Sequence, residues 1–250
     1  MIHTNYLCVE HDVSMISKTN ISSISASFLF LFILLQPTNL TNENTPANYS
    51  VCTEIYQFGI ANILTISLQL SKLPVKQFFS KPFQNSRMGR DLCAAEIDAG
   101  ANKKLVVATS HLESPTPPEM NSVGRVAQAG EALSLLNSVP NVIFGGDMNW
   151  DEISDGPFPL RGGWQDAWSV LRPEENGWTY DTRSNMMLKG NRPLWKRLDR
   201  FVCKLQDFRM VSVDMIGRDA IPGISYYNKR KELPVLPSDH YGLVLTICPM

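Results

Sequence analysis

The chain has 250 residues, enough to bury a sizeable core in one large α/β domain or two small ones. A formal net charge of −1 and a pI near 6.4 exclude nucleic-acid binding by bulk charge and leave only a local basic path for it. Cys8, Cys52, Cys93, Cys203 and Cys248 are scattered and odd in number, which excludes a disulfide framework or a zinc site and suits a reducing intracellular compartment.

Residues 1–50 are rich in Ser, Thr and Asn and show little periodicity, so they read as a disordered or unrelated leader. Its one apolar run, at 28–35, is shorter than the roughly 20 residues a membrane span needs. It lacks the basic flank and small-residue cleavage site of a signal peptide, so no membrane partner is expected. From residue 51 a domain running to 250 is expected. An apolar, β-branched stretch lies at 60–73, a short strand at 92–97 and a stronger one at 104–109. Asn121 or Ser122 can cap a helix running to about Asn137, with Val123, Val126, Gly130, Leu133 and Leu136 on its buried stripe. Strands at 142–144, 198–203 and 241–247 follow, the last alternating as if half-buried. Strands, one clear helix and Pro/Gly-rich loops predict an α/β fold with sheet packed on sheet.

The chemistry collects where these strands end. Gly145-Gly146-Asp147-Met148-Asn149-Trp150 follows an apolar strand, and residues two apart on an extended segment share a face. A carboxylate and a carboxamide therefore point together at the strand mouth, unless they only close an Asx-turn. The glycine pair lets another group approach closely. Ser110-His111-Leu112-Glu113-Ser114 and Ser238-Asp239-His240 sit at other strand ends. Such a set suits phosphodiester hydrolysis. A divalent cation draws charge from phosphate oxygens, a carboxylate takes a proton from water, and donors hold the developing charge. Asp147 is the candidate base, with Asn149, His111 and His240 as donors. A histidine kept protonated needs a carboxylate, and Asp199 is the candidate, the alternative being that Asp199 pairs with Arg197 or Arg200. Lys189, Arg192, Lys196, Arg197, Arg200 and Lys204 form either a solvated face or a phosphate-contacting path, with Arg197 and Arg200 the candidate contacts. Trp178, Tyr180 and Trp195 flank it as core aromatics or as stacking surfaces for bases.

Together the segments around His111, Asp147, Asp199 and His240, with Gly177-Trp178-Thr179-Tyr180-Asp181-Thr182, resemble the endonuclease/exonuclease/phosphatase superfamily, and within it the plant tyrosyl-DNA phosphodiesterase 2 family. The resemblance runs from about Leu68 to the carboxyl end. It implies a four-layer α/β sandwich of two packed β-sheets flanked by helices. It also implies Mg2+-dependent cleavage, with Mn2+ as the alternative ion, of a 5′-phosphotyrosyl bond between a topoisomerase peptide and single-stranded or end DNA. The setting it implies is a nuclear monomer acting in double-strand break repair. On it Asp147, Asn149 and His240 are the central catalytic residues and His111 and Ser114 hold the phosphate. Asp239 supports the metal through water, and Asp199 orients His240.

The departures lie on the amino-terminal side. The family's strand bearing an active-site Asn, and its Gln-Glu strand end whose Glu binds the metal directly, have no counterpart here. If 51–57 matches the stretch after that pair, Ser50 stands where the carboxylate should be, and several tens of residues are missing between Gln57 and Leu68. Since Mg2+ is held by only one or two carboxylates, much reduced activity is expected. The competing readings are another phosphodiesterase or phosphatase of the superfamily, such as an abasic-site nuclease or phosphoinositide phosphatase, and an inactive remnant that only binds nucleic acid.

Overall fold

The computed structural model describes residues 5–11, 29–35, 50–53, 67–71, 73–100, 103–118, 120–188, 192–228 and 231–250, the first three segments by their backbone pairing. Two six-stranded sheets dominate. The first runs Val75–Pro82, Asp91–Asp98, Lys104–Thr109, Val142–Asp147, Asp199–Lys204 and Gln165–Asp166 in spatial order. Its neighbours are antiparallel except Lys104–Thr109 and Val142–Asp147, which are parallel and joined through the helix Ser122–Leu136, as a parallel pair requires a crossover. The second runs Phe208–Ile216, Gly242–Pro249, Leu29–Leu35, Asn5–His11, Ser67–Ser71 and Ser50–Thr53.

The sheets face one another across an apolar layer. Ile97, Leu105, Val107, Ile143 and Phe201 from the first meet Val213, Leu243, Leu245 and Ile247 from the second. The opposite face of the first sheet, with Leu92, Ala94, Val106, Val142 and Phe144, is covered by Ala129, Ala132, Leu133 and Leu136 of the helix. Each such Leu, Ile or Phe, fully buried, contributes about 1.5–3 kcal/mol, so these layers hold the strand ends in place. The expected α/β sandwich of packed sheets with a flanking helix is the architecture found.

Four elements differ from the sequence reading. Asn5–His11 and Leu29–Leu35, inside the segment read as a leader, form interior strands of the second sheet, with Leu31 opposite Leu243 in parallel register. The rest of 1–50 and residues 54–66 lie outside the described residues, so the expected stretch at 60–73 is seen as the strand Ser67–Ser71. The helix buries Leu133 and Leu136 of the expected stripe and packs Val126 against the core, but not Val123. Val123 is 86% exposed, whereas Arg125 and Gln128 are buried with Ala129, Ala132, Leu133 and Leu136, because both polar side chains bond the loop before the helix. Finally, Gly242–Pro249 is buried along most of its length, lying between two strands and against the first sheet. Among the described residues no helix is long and apolar enough to cross a membrane.

Candidate active site

Four strand ends converge at one mouth of the sandwich. Asp147 ends Val142–Asp147 and Asp199 begins Asp199–Lys204, and the two residues are direct register partners across the antiparallel pair. His111 follows Lys104–Thr109, whose Thr109 pairs with Gly145, so it reaches the same level. His240 precedes Gly242–Pro249 in the other sheet. The loops are tied by backbone bonds from Leu112 N to Asp147 O (2.9 Å), Met148 N to Leu198 O (2.8 Å) and Tyr241 N to Thr179 O (2.7 Å). Gly146 permits this closeness. A Cβ there would lie 2.0 Å from the Ser110 carbonyl oxygen.

His240 Nδ1 lies 2.9 Å from Asp199 Oδ2, and Asp199 is fully buried. Burial opposes charge on His240, but the charge and hydrogen bond of Asp199, joined by the charges of Asp147 and Asp239, outweigh it and hold the imidazole up to about 10. Burial lifts the Asp199 carboxyl, with the His240 charge and hydrogen bond pulling it back down. The proton of the pair therefore sits on the imidazole at neutral pH. Asp199 pairs with neither Arg197 nor Arg200. One ligand atom each from Asp147, Asp199 and His240 falls within 4.8 Å of the others, and Asp199 Oδ1 is a buried acceptor with no hydrogen-bond donor.

Asp147 Oδ1 accepts from Asn149 N at 2.8 Å, so the Asx-turn is present, and Oδ2 lies 3.3 Å from His111 Nε2. Asp147 and Asn149 do not share a strand face, contrary to expectation. The strand stops at Asp147, and Asn149 adopts a left-handed backbone with φ 48°. Asn149 Nδ2 donates to Leu112 O at 3.0 Å and Ser114 Oγ at 3.2 Å, so the carboxamide holds the loop carrying Ser114 rather than standing open to a ligand. Ser114 Oγ also accepts from Arg90 Nη2 at 3.1 Å and lies 3.4 Å from His111 Nε2. Tyr180 sets its ring edge-on to His240 at 5.1 Å between centroids. Asp239 is half-buried beside Ser238, whose hydroxyl lies 3.4 Å from Asp239 Oδ1.

Within the basic stretch Lys189 lies outside the described residues and Arg192 is exposed, while Lys196, Arg197, Arg200 and Lys204 are held by neighbouring groups. Arg197 donates to both Asp166 oxygens at 2.6 and 2.7 Å, and Arg200 reaches Asp166 at 3.3 Å and Glu152, with side chains only 14% and 3% exposed. Asp166 is held below the usual carboxylate range although burial opposes this, because the Arg197 charge and hydrogen bond, then Arg200, outweigh it. Lys196 pairs with Asp151, and Lys204 donates to the Asn137 carbonyl. Trp178 is half-buried and packs against Trp195, 6.2 Å between centroids. Ser50 is not beside the mouth either, since Ser50–Thr53 is the outermost strand, four places from Gly242–Pro249.

Sequence reasoning missed three supports. Arg90 lies in a turn without a motif. Thr179, inside a quoted motif, accepts from the backbone of Leu198 and Asp199 at 3.1 Å each. Asn185 Nδ2 donates to the carbonyls of Ser238 and Asp239 at 3.1 and 3.0 Å, fixing the approach to His240. Only their distance in space marks them, and the sequence carries no signal for it.

No protein-family model and no curated protein matches the sequence. Solved structures do. TDP2 of D. rerio, complexed with a single-strand DNA product, superposes with a TM-score of 0.62 at 23% identity, over 80% of this chain and 76% of that one. TDP2 of C. elegans gives 0.60 at 23% identity, over 77% and 56%. Beta toxin of Staphylococcus aureus, with bound magnesium ions, gives 0.55 at 20% identity, over 70% and 65%. The chain thus has the fold of these proteins and of an endonuclease/exonuclease/phosphatase from Beutenbergia cavernae.

Proposed function

We propose that the chain is a divalent-metal-dependent phosphodiesterase that cleaves the 5′-phosphotyrosyl bond at DNA ends, in the nucleus, freeing ends blocked by a topoisomerase peptide. The observation that carries this reading is the convergence of the buried Asp147 and Asp199 with the half-buried His240, one ligand atom from each within 4.8 Å of the others. Likeness to a structure complexed with a single-strand DNA product supports DNA as the substrate. The motif around Trp178 and Tyr180 supports the tyrosyl adduct over other phosphodiesters.

The donor set fits a hard cation. With His240 protonated, the atoms left to coordinate are carboxylate oxygens, those of Asp147 and Asp199, with Asp239 close by for contact through water. Mg2+ or Mn2+ held there would neutralise charge on the phosphate and on the leaving oxygen. Asp147, fixed by the Asn149 amide, orients the attacking water and takes its proton. The His240 imidazolium donates to a phosphate oxygen, kept charged by Asp199. Ser114, held by Arg90 and Asn149, and His111 supply the remaining polar contacts to the phosphate. A tyrosine phenolate has a pKa near 10 and leaves with little acid assistance. Without the family's Glu ligand, turnover is slow and needs high metal concentrations.

The test is single-turnover cleavage of a 5′-phosphotyrosyl oligonucleotide, beside abasic-site duplex and phosphoinositide substrates. Tyrosine release that requires Mg2+ or Mn2+, stops with EDTA and is lost in Asp147→Asn supports the reading. Preference for either other substrate, or metal-independent release, overturns it.

A further inference from the structure

Asp199 and His240 come from different sheets. Asp199 begins a strand of the first, and His240 precedes Gly242–Pro249 of the second, so no ladder among the described strands sets their distance. A segment belonging to neither sheet crosses the gap. Among the described residues, 177–188 pair as a strand only where Tyr180–Asp181 meets Trp195–Lys196.

The polar groups of this segment are divided between the two sides. The Thr179 hydroxyl accepts from Leu198 N and Asp199 N at 3.1 Å each, and the Thr179 carbonyl accepts from Tyr241 N at 2.7 Å. A single residue thus ties the backbone of Asp199 to that of the residue after His240. Asn185 Nδ2 takes the other side of the histidine, donating to the carbonyls of Ser238 and Asp239 at 3.1 and 3.0 Å. Tyr241 Oη donates to Ser184 Oγ at 2.9 Å. Buried polar groups need partners anywhere in a fold. Here the partners are the residues on either side of the paired Asp199 and His240.

Both ends of the segment are fixed. Gly177, with φ 65°, lies so close to Trp168 that a Cβ would stand 2.5 Å from its ring, and Trp168 belongs to the layer between the sheets. At the far end Asn185 Oδ1 accepts from Met187 N at 3.0 Å, and Leu188 is buried. Thr179 and Asn185 are 0% and 1% exposed, so bulk water does not make good a bond lost there.

We propose that Thr179 and Asn185 are positioning residues, and that the segment between them is a strap that sets where His240 stands relative to Asp199 across the two sheets. They touch no substrate. This rests on the phosphodiesterase reading of the site and extends it: the rate of cleavage depends on a cross-sheet spacing that neither sheet fixes alone.

Thr179→Val and Asn185→Leu keep the size of each side chain and remove its hydrogen bonds, whereas Thr179→Ser keeps the hydroxyl. All are assayed by single-turnover cleavage of the 5′-phosphotyrosyl oligonucleotide with Mn2+ saturating. In the first two the rate constant at saturating substrate should fall about tenfold, with the half-saturating substrate concentration within about twofold of wild type and the full amplitude retained. Thr179→Ser should stay within about twofold of wild type on every measure. Amplitude separates positioning from a merely structural role, since partial unfolding removes active molecules and misplacement slows each of them. The downfield proton signal of the His240 ring N–H bonded to Asp199 is the second readout, lost or shifted in Thr179→Val and Asn185→Leu and kept in Thr179→Ser. Unchanged rate constants, or losses confined to amplitude, overturn the proposal and leave the phosphodiesterase reading intact. If both buried variants fail to fold, Ser184→Ala, at an exposed position, decides: a rate constant about threefold lower at full amplitude supports the strap, and an unchanged one overturns it. If the wild type cleaves nothing, the functional reading fails and the proton signal alone judges the strap: its survival in every variant refutes it.

Discussion

Replacing Asp199 with Asn keeps the shape of the side chain and removes the charge that holds His240 protonated. In the native pair His240 is raised from 6.5 to about 10, burial working against the shift and Asp199 leading the charges that produce it. Without that carboxylate the imidazole falls back toward its ordinary value. At pH 7.5 a group with a pKa near 6.5 is charged in only about a tenth of the molecules, whereas one near 10 is charged in nearly all. If the imidazolium is the donor to the phosphate, Asp199→Asn lowers single-turnover cleavage about tenfold at pH 7.5. Lowering the pH to 5.5 to 6 restores the charge on the variant's imidazole and with it that part of the rate, whereas the part lost with the Asp199 metal oxygen returns only with added Mn2+. The wild type keeps its donor until the pH approaches 10.

Stability follows the same linkage. A histidine whose folded pKa is raised contributes stability that is complete below its unfolded value near 6.5 and is lost as the pH climbs through about 10. At about 1.4 kcal/mol per unit the gap is bounded at roughly 5 kcal/mol, and the cost of keeping a carboxylate ionised at a fully buried position subtracts from it. The stability difference between wild type and Asp199→Asn is thus widest below pH 6.5 and closes toward pH 10. Denaturant midpoints across that range, with 15N shifts of the His240 ring, measure both effects. Identical pH–rate profiles for the two proteins, or a His240 ring titrating near 6.5 in the wild type, would refute the reasoning.

Gly146→Ala should cost about 1–3 kcal/mol or more, since its Cβ would stand 2.0 Å from the Ser110 carbonyl oxygen and only backbone movement can relieve it. A fall of several degrees in Tm, with a larger proportional loss of cleavage because Asp147 is the next residue, is the expected outcome of thermal unfolding and single-turnover assays. Arg125→Met removes a side chain that is 1% exposed and binds both Asp155 oxygens, at 2.9 and 2.8 Å, and the Glu113 carbonyl at 2.8 Å. The carboxylate left buried should cost about 3–5 kcal/mol in urea unfolding, and the double change Arg125→Met with Asp155→Leu should recover most of it.

Arg125 also illustrates what the sequence could reveal. The helix was legible from its apolar spacing, which places Leu133 and Leu136 inward as expected, but Asn121 makes no side-chain cap and the inward turn of Arg125 and Gln128 was not legible. An apolar stripe predicts burial by hydrophobic area alone, whereas here Arg125 and Gln128 turn inward because two loop groups, the Glu113 carbonyl and the Glu113 N–H, need partners away from water. Four strands of the first sheet were legible from apolar runs such as 105–108 and 142–144, whereas the half-exposed Val75–Pro82 and the two-residue Gln165–Asp166 were not. The His240–Asp199 contact followed from each residue standing at a strand terminus. The fate of Arg200 did not, since its partner Asp166 lies in a two-residue strand, 34 positions earlier, without periodicity to announce it.

The two register-paired carboxylates explain why the mouth of the sandwich needs a cation at all. Like charges placed opposite one another on adjacent strands are destabilising, more so when both are removed from water. The His240 imidazolium answers one of them, and through one oxygen only. Asp147 shares its second oxygen with His111, and Asp199 keeps an oxygen without a donor. The cluster sets two carboxylates against one His240 imidazolium, and Arg197 and Arg200 are held by Asp166 rather than by it. In that state it repels a phosphodiester. A divalent ion on these oxygens reverses the sign of the site, so anion binding and charge stabilisation in the transition state come from the same event. Binding of a phosphate analogue should accordingly be undetectable in EDTA and appear with Mn2+, a coupling that a histidine-and-hydroxyl phosphate pocket acting alone would not show.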